Sequence, residues 1–143
     1  MVVRNREGRV TGPVRELRLA VTVEDYVAAV RFYRDVLGLP VIREWEEPEG
    51  SGAILDAGHA TLELLSVDQT ALVDRVEVGR EGVSPPIRLA LEVVDSEAAA
   101  QLLVEAGAEQ LGDAVTTPWR HRNVRLDAPG PLQLTLFTVL DPE

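Results

Sequence analysis

From Leu17 to Val23 the chain alternates, with Leu17, Leu19, Val21 and Val23 on one side and Arg18, Ala20 and Thr22 on the other. A period of two predicts a strand with one apolar face. Asp25 has a short carboxylate suited to accept from the free amides that open a helix, so it predicts an N-cap. Val27, Val30, Tyr33, Val36 and Leu37 then keep helical spacing until Gly38 and Pro40 stop the helix. Three strand-like runs follow, at Val41 to Trp45, Ala53 to Ala57 and Thr61 to Ser66. Glu49-Gly50-Ser51-Gly52 and Gly58-His59 are the predicted turns between them.

The same order returns further along. Ile87 to Val93 reads as a strand, and Ser96 to Ala106 as a helix capped by Ser96 and ended at Gly107. A weak strand near Leu111 to Val115 precedes stronger ones at Asn123 to Leu126 and Leu132 to Val139, with a turn at Asp127-Ala128-Pro129-Gly130. The similarity has a fixed register of 70 residues, pairing Arg18-Leu19-Ala20 with Arg88-Leu89-Ala90, Asp25 with Asp95, Ala28-Ala29 with Ala98-Ala99 and Leu62-Leu64 with Leu132-Leu134. Two copies at so long a period describe a duplicated module rather than a solenoid. The modules are placed at residues 14–67 and 87–140. The linker at 68–86 holds a possible short helix and ends in Pro85-Pro86. The predicted fold is α+β: two β-α-β-β-β modules form curved mixed sheets, helices cover the convex faces, and a cleft lies between the concave ones.

Charge and composition narrow the function. A formal charge of -10 over 143 residues is unsuited to nucleic acid, whose affinity rests on clustered cations. Hydrophobic residues at 45% and charged residues at 27% describe a globular chain. There is no cysteine, hence no disulfide, thiolate metal site or thiol nucleophile. No apolar run approaches the ~20 residues of a membrane span, and Met1 to Val10 is polar without a signal-like apolar core. The expected location is cytoplasmic, and the expected partner is a small molecule or a second copy, with neither nucleic acid nor membrane involved.

Asp25 followed by Phe32-Tyr33-Arg34-Asp35-Val36-Leu37-Gly38-Leu39-Pro40 resembles the first-module signature of the vicinal oxygen chelate superfamily, which includes glyoxalase I, bleomycin-resistance proteins and extradiol dioxygenases. Ala106-Gly107-Ala108, Pro118-Trp119-Arg120-His121-Arg122-Asn123 and Asp127-Ala128-Pro129-Gly130 extend the resemblance through the second copy. In metal-dependent members, a His or Gln on each first strand and a Glu on each last strand hold a divalent ion. The resemblance places those positions at Arg18, Glu63, Arg88 and Gln133. Arginine has no lone pair to offer, and a divalent catalytic site takes about three protein ligands. No metal and no other cofactor is therefore expected. A final strand shifted by one residue would put Leu134 at the fourth position, which is worse still.

Strand alternation directs Arg18, Ala20, Thr22, Thr61, Glu63 and Leu65 to one concave face. Arg88, Ala90, Glu92, Asn123, Arg125, Gln133, Thr135 and Phe137 go to the other. Two readings are open for the arginines. In one, Arg18 and Arg88 pair with Glu63 and Glu92 and fill the vacated ion position; in the other, they clamp an anionic or carbonyl group of a ligand. Trp45 and Trp119 are placed to stack on a flat ligand or to pack at sheet edges. His59, at a turn, would stand about 13 Å from Glu63 on a regular strand, too far to share an ion with it. His121 is read as a loop residue or a pocket rim. No nucleophile motif or phosphate-cradling glycine loop is found.

The ligand-binding set is thus Arg18, Thr22, Trp45, Arg88, Glu92, Trp119, Asn123, Arg125, Gln133 and Phe137. The resemblance implies a metal-independent small-molecule binder, homodimeric, with its ligand between modules. The alternatives are a lyase, isomerase, epimerase or dioxygenase with Glu63 as general base, and a structural dimer whose cleft is filled by its own side chains.

Overall fold

The computed structural model describes residues 13–140, so the polar stretch from Met1 to Val10 lies outside the described residues. A helix α1 spans Tyr26–Val30, and Asp25 caps it as expected, accepting from the Ala28 amide at 3.0 Å. The helix then widens into a π-helical turn over Arg31–Val36 and closes at Gly38, which takes a left-handed φ of +74°. Strands β1 (Val41–Glu47) and β2 (Gly50–Leu55) form an antiparallel hairpin with an irregularity between Val41 and Arg43. The turn expected at Glu49 to Gly52 is tighter, because β2 already begins at Gly50.

Neither Leu17 to Val23 nor Thr61 to Ser66 forms a strand, which corrects the expectation for both outer strands of the first copy. The second segment leads straight into helix α2 (Val67–Val78), which is docked on the other half of the molecule and draws the chain away from the open edge of β2. The possible short helix of the linker is this full helix of 12 residues, capped by Ser66 and ended by left-handed Gly79.

The second copy forms as a complete sheet. Strand β3 (Leu89–Glu92) is followed by helix α3 (Ser96–Glu105), short strands β4 (Glu109–Gln110) and β5 (Val115–Thr116), and long strands β6 (His121–Asp127) and β7 (Gln133–Val139). The sheet order is β3-β7-β6-β4, with β5 also paired to β6. Strand β3 runs parallel to β7, with Leu89 beside Leu134, and the other pairs are antiparallel. The weak strand expected at Leu111 to Val115 is divided into β4 and β5. Gly112 lies between them, where the α2 backbone comes so near that a Cβ would sit 3.0 Å from the Glu77 carbonyl.

Helix α3 covers one face of this sheet. Val124, Leu126, Leu134 and Leu136 pack against Ala100 and Leu103, and Phe32 of the π-helical turn enters the same core. The α3 cap is Asp95, whose carboxylate accepts from the Ala98 amide at 3.1 Å, rather than the expected Ser96. Ser96 is buried because it ties the helix to the sheet: its hydroxyl donates to the Arg122 carbonyl at 2.7 Å, and its amide donates to Thr138 at 2.9 Å. Among the described residues, no helix is long and apolar enough to cross a membrane.

Candidate functional site

With Val124, Leu126, Leu134 and Leu136 committed to the core, the period of two sends Asn123, Arg125, Gln133 and Thr135 to the opposite face. The structure brings these four together as expected and buries all of them. Helix α2 closes over them and supplies two carboxylates, Asp74 and Glu77, one turn apart on its inner side.

Arg125 is the hub and is 0% exposed. Its Nε donates to Glu77 Oε1 at 3.1 Å, and its Nη1 donates to Asp74 Oδ1 at 3.0 Å, Ser84 Oγ at 3.0 Å and Gln133 Oε1 at 2.8 Å. Glu77 also accepts from Asn123 Nδ2 at 3.0 Å and Thr135 Oγ1 at 2.9 Å. Arg88 joins through Thr135, donating to its hydroxyl at 2.7 Å. Gln133 Nε2 donates to the Val83 carbonyl at 3.1 Å and reaches Asp127 at 3.4 Å.

The electrostatics follow from this packing. Burial would push the Asp74 carboxyl up, but donors from Ser84, Arg125 and the Val83 amide outweigh it and hold the group below its ordinary value. Burial first, and the neighbouring Arg125 cation second, lower the pKa of Arg88. Glu77, Glu63 and Asp74 pull it the other way.

The expected pairing of Arg18 and Arg88 with Glu63 and Glu92 is not what forms. Arg18 is exposed and pairs with Glu16, while Glu63 and Glu92 stand exposed. The buried pairs belong to Arg125 with Asp74 and Glu77. Those two acids were missed because α2 has no clear amphipathic pattern to announce a buried side. The available signal was their spacing of three on a helix started by Ser66 and stopped by Gly79.

The positions that the resemblance assigns to a divalent ion do not fit one. Arg18 and Arg88 only donate, the Gln133 carbonyl oxygen already accepts from Arg125, and Glu63 is the one carboxylate of the four. Among the described residues there is no group of three or more His, Asp or Glu side chains that could hold an ion.

The other candidate residues lie elsewhere. In the first half, Arg18, Arg43, Trp45, Glu47 and Ile54 line a hollow of about 340 Å³. The Trp45 indole lies flat over Gly52, its cross-strand neighbour, so closely that a Cβ there would come within 2.1 Å of Cζ2. The Arg43 guanidinium sits 5.6 Å from the ring centroid. Phe137 stacks on His121 at 5.0 Å, beside the α2-covered network. Thr22, Glu92, Trp119 and His59 are exposed and neither line this hollow nor join the network. A further hollow of about 420 Å³ lies on the α3 side, lined by Glu97, Gln101, Gln110, Asp113 and Arg122 among others; Arg122 is already bonded to Glu97 and Thr116.

A family model described as Glyoxalase/Bleomycin resistance protein/Dioxygenase superfamily matches residues 17–142. A 55-residue stretch, 38% of this chain and 41% of the relative, is 40% identical to the uncharacterized protein YraH of Bacillus subtilis (strain 168). Among solved structures, a member of the same superfamily from Sphaerobacter thermophilus DSM 20745 aligns over 87% of this chain and 98% of its own, with a TM-score of 0.57 and 22% identity. The hypothetical protein SA1046 from S. aureus aligns over 89% and 95%, with a TM-score of 0.58 and 15% identity. These two structures share the fold. The family match covers both halves of the repeat: the chain belongs to the glyoxalase/bleomycin resistance protein/dioxygenase superfamily.

Proposed function

We propose that this chain is a metal-independent, cytoplasmic binder of a small organic molecule, homodimeric and related in role to the bleomycin-resistance proteins. The observation that carries the reading is the chemistry at the family's ion position. Arginines, Arg18 and Arg88, stand at two of the four positions that the resemblance assigns to the ion, and a third, Arg125, is buried between Asp74 and Glu77 and bonded to Gln133. A second cation there would meet the guanidinium rather than a set of lone pairs.

The open hollow of the first half supports the binding role. Its volume of about 340 Å³ lies within the range of small-molecule sites. Trp45 offers an aromatic plate, while Arg18 and Arg43 offer two cations at its margin. That combination suits a flat ligand bearing an anionic or carbonyl edge. An enzymatic role for Glu63 would need its carboxylate desolvated beside an acidic C–H. Glu63 is exposed, so the binding role is favoured.

Calorimetric titration with zinc, nickel, manganese and iron should show no stoichiometric site. Micromolar binding of any of them would overturn the metal-independent reading. In a Trp119→Phe variant, Trp45 is the sole tryptophan, and its emission should be quenched by flat aromatic carboxylates. Gly52→Ala places a methyl group in the indole's position and should abolish that quenching while the fold persists. Quenching unchanged by Gly52→Ala would move the ligand away from this hollow.

A further inference from the structure

Removing α2 from view leaves a distinctive surface on β6 and β7. Arg125 Nε, Asn123 Nδ2 and Thr135 Oγ1 converge on a single carboxylate, with Arg88 behind Thr135. All three donors come from the sheet, and one acceptor, Glu77, receives them all. Asp74 differs, since three of its four donors belong to Val83 and Ser84, in the connection just beyond α2. The sheet therefore carries a cradle for one carboxylate, and the linker helix fills it.

Two further observations show that the cradle and the helix are imperfectly matched. Among the described residues, buried Arg125 Nη2 and Asn123 Oδ1 have no hydrogen-bond partner. Buried polar atoms are nearly always satisfied, and leaving a charged donor unmet is costly. Helix α2 is also weakly anchored by apolar contact. Its buried residues are Val73, Asp74 and Glu77, while Val67 and Leu72 face water. The chain before it, residues 57–65, forms no strand, and Gly79 and Gly82 after it take left-handed φ values of +85° and +79°. The helix is held mainly by hydrogen bonds that another carboxylate could make.

We infer that this cradle is a ligand site for a small carboxylic acid, separate from the hollow beside Trp45, and that Glu77 is its resident competitor. A ligand carboxylate would take the Arg125, Asn123 and Thr135 donors, and a second polar group on it would meet Arg125 Nη2 and Asn123 Oδ1. Binding then requires α2 to leave, so the closed helix lowers the apparent affinity by the fraction of molecules that are open.

Hydrogen exchange on the full chain tests this with succinate as probe and succinamide as the uncharged control. Succinate should speed exchange across residues 67–78 while β6 and β7 stay protected, and succinamide should change nothing. Identical α2 exchange with and without saturating succinate would overturn the inference. In Glu77→Ala the competitor is gone, so succinate should bind about tenfold tighter or more by calorimetry and raise the thermal midpoint. A folded Glu77→Ala protein that binds succinate no better than wild type would also overturn it. Should that variant fail to fold, the wild-type exchange result decides.

Discussion

Arg125 shows how much one residue can organise when it has no water to fall back on. Its guanidinium is fully buried between two carboxylates, with Ser84 and Gln133 as further acceptors. Breaking a buried pair by deleting one partner costs about 3–5 kcal/mol, because the remaining charge is stranded. Arg125→Met leaves Asp74 and Glu77 facing each other without a cation, and urea unfolding should register a loss in that range. Arg125→Lys should recover little, since an ammonium cannot span both carboxylates as the guanidinium fork does. A loss below about 1 kcal/mol for Arg125→Met is the size expected of an exposed pair, and would mean that α2 is not seated on the sheet in solution. Alternation alone placed Arg125 on a face with Asn123, Gln133 and Thr135. Its partners were not legible, because they come from a segment whose docking depends on tertiary structure. The cap at Asp95 was legible in principle: the offset of 70 maps it onto Asp25, which caps the first helix.

Helix α2 is the element that most changes the reading. A linker holding a short helix was expected, and a full helix of 12 residues stands there with two acids on its buried side. Its seat should be sensitive to acid, with a definite direction. The folded pKa of Asp74 lies below its ordinary value, so above that value the folded state gains the full benefit of the ionised group. The benefit is lost as pH falls from about 4 through the lower folded value, because the unfolded chain takes up the proton first. Urea midpoints measured from neutral pH down through this window should fall for the wild type. Asp74→Asn should start lower at neutral pH and fall less steeply. Parallel profiles for the two proteins would show that Asp74 carries no such coupling. The second-copy strands and helices α1 and α3 could be read from periodicity, whereas the π-helical turn and the division into β4 and β5 could not. Those features answer to packing, at Phe32 in the shared core and at Gly112 under the α2 backbone.

At the scale of the whole molecule, the two halves of the repeat are unequal. Among the described residues, the second half has a five-stranded sheet and a closed core, while the first has a hairpin alone, and Phe32 of its π-helical turn is buried in the core of the second half. The leucines of the apolar stripe that alternation reads in Leu17 to Val23, and of its counterpart at Thr61 to Ser66, stay exposed, while Val21 and Val23 are half-buried. Leu62 is 71% exposed and Leu64 83%, with Leu17 and Leu19 about half exposed. Burying a leucine contributes about 1.5–3 kcal/mol, so four of them form a strong demand for cover. The repeat indicates what the pairing should look like. Leu89 lies beside Leu134 on parallel strands in the second copy, and the offset of 70 maps that pair onto Leu19 and Leu64. A second copy of the chain, joined across a two-fold axis, would cover the same stripe on both partners at once. Sedimentation equilibrium at micromolar concentration should therefore give twice the mass of the chain. Leu62→Glu with Leu64→Glu should give a monomer that keeps the β6–β7 sheet. A wild-type protein that stays monomeric at that concentration would leave the leucines exposed and remove the case for symmetric pairing.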